Sequence, residues 1–116
     1  MKAMTTSRTF ELRTYHAVPG KLDELHARFR NHTIALWREH GFDVEGFFTP
    51  TDVENNTTLV YLLSYPTDRA GATALWESFR TSPEWTAAKA ASEVNGPLVD
   101  HLESVFLAPT DYSPLR

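Results

Sequence analysis

Arg13 and Tyr15 are the residues of this sequence best suited to hold a ligand. They stand two apart in the run RTFELRTYH, Arg8 to His16. Alternation along that run puts Phe10, Leu12 and Thr14 on one side of a strand and Glu11, Arg13 and Tyr15 on the other. A guanidinium offers a planar fork of donors that fits a carboxylate, phenolate or enolate. A phenol beside it adds one more hydrogen bond. The competing reading is structural: Arg13 pairs with Glu11 or Glu45, and Tyr15 serves as an amphipathic wall.

Glu45, Tyr61 and Tyr65 are expected to line the same space from neighbouring strands. A carboxyl buried among rings has a raised pKa and can take up a proton; the alternative for Glu45 is a salt bridge. Phe47 and Trp85 are the expected apolar walls. Trp85 follows the Ser82-Pro83 break on a short helix, a place where a lid can be built. Trp76, Phe79 and Trp85 sit at helical spacings and read as helix-to-sheet core, with Trp85 the one that could instead serve the pocket.

The other chemistries find less support. There is no cysteine, so thiol catalysis, disulfides and thiolate metal sites drop out. His26 and His32 are six apart and His32 and His40 eight apart, whereas a helical pair sharing one metal needs about four. His16, at the end of the first strand, has His101 or a carboxylate as a potential partner across the sheet. The five glycines form neither GxGxxG nor GxxxxGK[ST], and no GxSxG occurs. No cofactor and no metal are expected. A formal charge of −4 without a basic stripe argues against nucleic acid, and no polybasic run addresses an anionic membrane. No apolar segment approaches the roughly 18 residues of a membrane span. MKAMTTSRTF lacks the apolar run of a secretory signal, so the expected location is the cytoplasm and the sequons at Asn31, Asn55 and Asn56 read as coincidence.

The elements that must position these residues follow in order, within a single domain spanning residues 1–116. Residues 1–7 are polar and expected to fray. After the first strand and the Pro19-Gly20 turn, Leu22, Leu25, Phe29, Thr33, Leu36 and Trp37 form the apolar stripe of one helix over Lys21–His40, ended by Gly41. Phe42–Thr51 reads as a second strand, with Phe42, Val44, Gly46 and Phe48 sharing a face and Gly46 marking a bulge or a close approach. Asp52–Asn56 is a polar hairpin loop, and Thr57–Tyr65 a third strand. Asp68 caps a helix that runs to about Arg80; Ser82 caps another, Glu84 to Val94, with Pro83 at its first position. Asp100–Ala108 is the last strand. The ordered core is expected over 8–108, with 109–116 an extended tail. The order βαββαβ is the ferredoxin-like plan of the α+β class: one four-stranded antiparallel sheet with helices on a single face.

That plan leaves one sheet face in water, yet the strands are apolar on both sides. Val60 and Leu62 oppose Leu59, Tyr61 and Leu63; Phe47 adjoins Phe48, and Val105 adjoins Phe106. Each large apolar side chain left exposed forfeits about 1.5–3 kcal/mol. A second copy of the sheet is the simplest cover, which predicts a homodimer closing into an α+β barrel. Arg13 and Tyr15 are then expected in the barrel interior.

The ordered set of ELRTY at Glu11–Tyr15, PGKLDEL at Pro19–Leu25, His40-Gly41, GFFTP at Gly46–Pro50, LVYLLSYP at Leu59–Pro66, Trp76 and Phe79, PEW at Pro83–Trp85 and SVFLAPTDYSP at Ser104–Pro114 resembles the NIPSNAP family. The resemblance implies a dimeric α+β barrel and no settled activity. Mitochondrial members carry a transit segment; none is expected here, so a mitochondrial role is not expected to transfer. Related dimeric barrels include cofactor-independent monooxygenases, haem-degrading enzymes and stress-response proteins, an analogy at the level of fold. Two readings of function follow. In the first, a flat or carboxylated organic compound binds inside each half of the dimer, held by Arg13, Tyr15 and Tyr61 and walled by Phe47 and Trp85; proton abstraction or cofactor-free oxygenation would be its chemistry. In the second, the interior is packed solid and the dimer serves a structural or protein-binding role.

Overall fold

Every strand that the alternation predicts forms, and all four join one sheet. The computed structural model describes residues 8–52 and 56–116; the polar segment 1–7 and residues 53–55 of the expected Asp52–Asn56 hairpin loop lie outside the described residues. The elements are β1 (Thr9–Ala17), α1 (Leu22–Arg28), a π-helical turn (Phe29–Thr33), α2 (Ile34–Glu39), β2 (Asp43–Phe48), β3 (Thr58–Tyr65), α3 (Arg69–Arg80), α4 (Pro83–Ser92) and β4 (Val99–Leu107). The strand order is β2-β3-β1-β4, with every pair antiparallel. This is the ferredoxin-like α+β architecture, with β1 and β3 at the centre. Among the described residues no helix is long and apolar enough to cross a membrane.

Local chemistry sets the helix ends as the sequence predicts. Asp68 accepts the Gly71 N–H at 2.9 Å, and Ser82 accepts the Trp85 N–H at 3.2 Å with Pro83 at the first helical position. Gly41 takes a φ of +94° after α2, a conformation that a side chain would resist.

The first helix departs from expectation. Apart from Arg28, its buried residues Leu25, Phe29, Thr33 and Trp37 recur at strict four-residue steps. An α-helix turns once in about 3.6 residues, so such a stripe would drift around it. The wider winding of the π turn takes up the drift. Its signature is the Ile34 N–H donating to the Phe29 carbonyl five residues back, with the Thr33 hydroxyl donating to the Arg28 carbonyl at 3.3 Å.

A second departure lies in β2. Its register against β3 shifts between Val44 and Gly46. The extra residue places Val44 and Phe47 together on the helix side, opposite Leu63 and Tyr61, while Phe48 falls opposite Val60 on the outer side. Gly46 therefore marks a bulge, and the expectation that Phe42, Val44, Gly46 and Phe48 share a face is corrected.

The core fills the space between sheet and helices with Leu25, Phe29, Trp37, Phe42, Tyr61 and Trp76 among its members. On the outer face Leu12, Val60 and Leu62 are half-buried, and Phe48, Val105 and Leu107 are 59%, 49% and 41% exposed. Both faces of the sheet are apolar, as the sequence indicates.

Candidate functional site

The side of β1 that carries Glu11, Arg13 and Tyr15 faces the helices. All three are buried, whereas Leu12, Thr14 and His16 on the other side are half-buried. Arg13 and Tyr15 thus lie inside the core of their own chain, and their expected place in the interior of a two-chain barrel is corrected. The register explains it: Arg13 sits opposite Tyr61 and Glu11 opposite Leu63, on the β3 face that the helices cover.

Glu11 is the hub of what gathers there. Its Oε2 accepts from Arg13 Nη1 at 2.8 Å and from the Ser104 hydroxyl of β4. Its Oε1 accepts from the Tyr65 hydroxyl at 2.6 Å and from Trp76 Nε1 of α3 at 2.9 Å. Arg13 donates further through Nε to the Tyr61 hydroxyl at 2.6 Å and through Nη2 to the Tyr15 hydroxyl at 3.4 Å. Its guanidinium carbon stands 4.2 Å from the centre of the Trp76 ring, near enough for a cation–π attraction. Each polar group in the cluster has a partner, the condition under which a buried network holds a fold rigid.

The same contacts fix the charges. Burial works to raise the Glu11 carboxyl, but hydrogen bonds from Ser104, Tyr65 and Arg13, together with the Arg13 charge, hold it below its ordinary value. Burial opposes the Arg13 charge, and Tyr61, Tyr15 and Glu11 more than offset it, so its pKa is raised. Tyr61 is raised by burial and by Tyr15, and Tyr65 by burial and by its bond to Glu11. The cluster is a fixed ion pair with neutral phenols around it.

The other expected site residues divide. Phe47 stacks on Tyr61 at 5.1 Å, so it does adjoin the cluster. Glu45 does not: the bulge carries it to the outer side, where it accepts from the Ser64 hydroxyl at 2.6 Å, and Ser64 pairs with the outward Phe10. Trp85 packs on Phe79 at 4.8 Å and beneath Arg28 at 5.0 Å, outside the cluster. Sequence reasoning assigned Trp76 to packing alone and passed over Ser104. The signal for Trp76 was its indole N–H, which seeks an acceptor when buried. On the outer face His16 finds both of the partners considered for it, stacking on His101 at 4.2 Å and meeting Glu103 at 2.7 Å. Among the described residues no three His, Asp or Glu converge as a metal-binding group.

A cleft of about 280 Å³ opens between the π turn and β2, lined by His26, Phe29, Arg30, Ile34, Phe47 and Leu59. It does not reach Arg13 or Tyr15, but two of its walls touch their neighbours: Phe29 lies 5.9 Å from Tyr15, and Phe47 stacks on Tyr61. π turns recur at functional sites in helices, and this one supplies Phe29 to the cleft.

Solved structures resemble the whole chain. A NIPSNAP family protein from Agrobacterium tumefaciens superposes with a TM-score of 0.79 at 25% identity, over 94% of this chain and 99% of that one. An uncharacterized NIPSNAP domain protein from Burkholderia xenovorans gives 0.74 at 25% identity, over 91% and 98%. A candidate antibiotic biosynthesis monooxygenase from Chloroflexus aurantiacus gives 0.56 at 14% identity, over 95% and 100%, a likeness of fold alone. No curated protein matches the chain. The NIPSNAP family model matches residues 10–114, and the chain belongs to the NIPSNAP family.

Proposed function

We propose that the protein is a homodimer that binds a small organic compound in each protomer, between the helix layer and the sheet. The observation that carries this reading is the cleft beside the π turn. At about 280 Å³ it lies just under the usual range of ligand pockets, about 300–1,000 Å³. Its floor of Phe29, Ile34, Phe47 and Leu59 is apolar, with polar groups confined to a few positions. We read the Arg13 cluster as a brace behind this site, because each nitrogen of its guanidinium already donates within the chain. The dimer is supported by the outer face, where Phe48, Val105 and Leu107 stand about half in water, each forgoing roughly half of the about 1.5–3 kcal/mol that full burial contributes. Native mass spectrometry of the purified protein tests both halves: a dimer carrying a small adduct is expected. A monomer at micromolar concentration would end the dimer, and a dimer on which no compound ever docks would end the ligand.

One observation favours a second reading, a dimer with a solid interior that binds no small molecule. The clefts of about 280–530 Å³ in the surface are lined by residues other than Arg13 and Tyr15. The two readings separate on Phe47. Under the first, Phe47→Ala weakens binding of an aromatic probe; under the second there is no binding to weaken.

A further inference from the structure

We infer that the cleft beside the π turn takes an aromatic or similarly flat carboxylate, with Arg30 and His26 holding the carboxylate and Phe29 and Phe47 holding the rings. This inference rests on the proposed reading of the cleft as a ligand site and adds the class of ligand.

Charge is the first argument. Acidic residues outnumber basic ones in this chain by 15 to 11. The neighbouring clefts that hold an arginine hold carboxylates too: Arg28 shares one with Glu24, and Arg8 and Arg38 share another with Asp43 and Glu45. The cleft beside the π turn is lined by Arg30 and His26 and, among the described residues, by no carboxylate. Neither Arg30 nor His26 forms an ion pair among the described residues. A cation left unneutralised at the edge of an apolar cleft suits an anionic ligand with an apolar body.

Geometry narrows the anion. His26 and Arg30 are four apart on one winding of helix, so both side chains come to the same cleft. A guanidinium fork matches the two oxygens of a carboxylate, and an imidazole donates from a ring N–H in either charge state. Both residues are interior to the helix, whose amides are already engaged, so the free backbone donors that favour a phosphate at a helix start are missing here. One fixed positive charge matches one negative charge. The apolar part follows from Phe29 and Phe47, whose ring centres lie 5.1 Å apart at 60°. The volume of about 280 Å³ accommodates a body of one or two rings.

The test is calorimetric titration of the full-length dimer with 2-naphthoate, 2-naphthamide and 2-naphthyl phosphate. Naphthoate is expected to bind at least tenfold more tightly than the amide and more tightly than the phosphate. Arg30→Gln should bring naphthoate down to the affinity of the amide and leave the amide unchanged. Equal binding of acid and amide, preference for the phosphate, or a preference for naphthoate that survives Arg30→Gln would overturn the ligand class while leaving the cleft as the site. Ile34 and the more exposed Thr49 both line the cleft; Ile34→Trp and Thr49→Trp each narrow it, and either is expected to abolish binding of all three compounds. Binding that persists in both variants, or that never occurs in the parent protein, overturns the site itself.

Discussion

Trp76 and Glu11 are joined by a hydrogen bond of 2.9 Å, from indole Nε1 to carboxylate Oε1, that ties α3 to the central strand β1. The ring that donates this bond also lies under the Arg13 guanidinium. One side chain from the helix layer therefore helps satisfy both charges of the buried pair. Trp76→Phe keeps most of the ring and removes the N–H. It is expected to cost about 1–3 kcal/mol, the penalty for a buried polar group left short of a partner, read as a lower urea midpoint at unchanged slope.

Arg13→Met should be costlier. It leaves Glu11, which is 1% exposed, without its cationic partner, and removing one partner of a buried pair costs about 3–5 kcal/mol. The double variant Glu11→Leu with Arg13→Met removes both charges and is expected to recover most of that loss. A double-mutant cycle by chemical denaturation measures the coupling. Naphthoate titration of Arg13→Met under folding conditions should match the parent protein; a large loss of binding there would return Arg13 to the ligand site.

Acid should destabilise the protein through Glu11. Its carboxyl is held below the ordinary value in the folded chain and returns to about 4.3 when unfolded. A depressed carboxyl contributes stability that is fully present above the unfolded value and is lost as pH falls through the folded one. Stability is therefore expected to be level above pH ~5 and to fall below pH ~4. Glu93, lowered by Lys89 and Arg28 against its partial burial, adds in the same direction. Thermal melts from pH 7 to pH 2 should show a steep acid limb that flattens in Glu11→Gln and changes less in Glu93→Gln.

The outer face predicts how the proposed dimer comes apart. Leu62→Glu places a charge where β3 meets the proposed partner, and Val105→Glu does the same on β4. Each is expected to give a folded monomer by sedimentation, with the helical circular dichroism signal intact. A dimer that tolerates both substitutions would place its interface elsewhere.

Much of this architecture was legible in the residues. Alternation located the strands, Asp68 and Ser82 announced their helices, and Gly46 signalled the bulge. What escaped was the side of the sheet that the helices choose. A row holding Glu11, Arg13 and Tyr15 looks like a wet face by side-chain type, while Phe10 and Leu12 look like core. The choice was settled by groups distant in sequence, Trp76, Tyr65 and Ser104, which together satisfy the charges and make their burial affordable. Glu45 was misplaced for a related reason. One bulged residue reverses the alternation, and nothing in DVEGFF says on which side of the glycine the reversal falls.

One residue of the Arg30–His32 segment is surplus to the core. Deleting Asn31 would convert the spacings from Leu25 to Trp37 into four, three and four, the rhythm of an ordinary amphipathic helix, with every inward side chain still accommodated. The plain helix would forfeit only the broadened coil that brings Arg30 and Ile34 to the rim beside β2. A variant lacking Asn31 is therefore expected to keep the fold and to lose the contour that the extra residue gives the surface there.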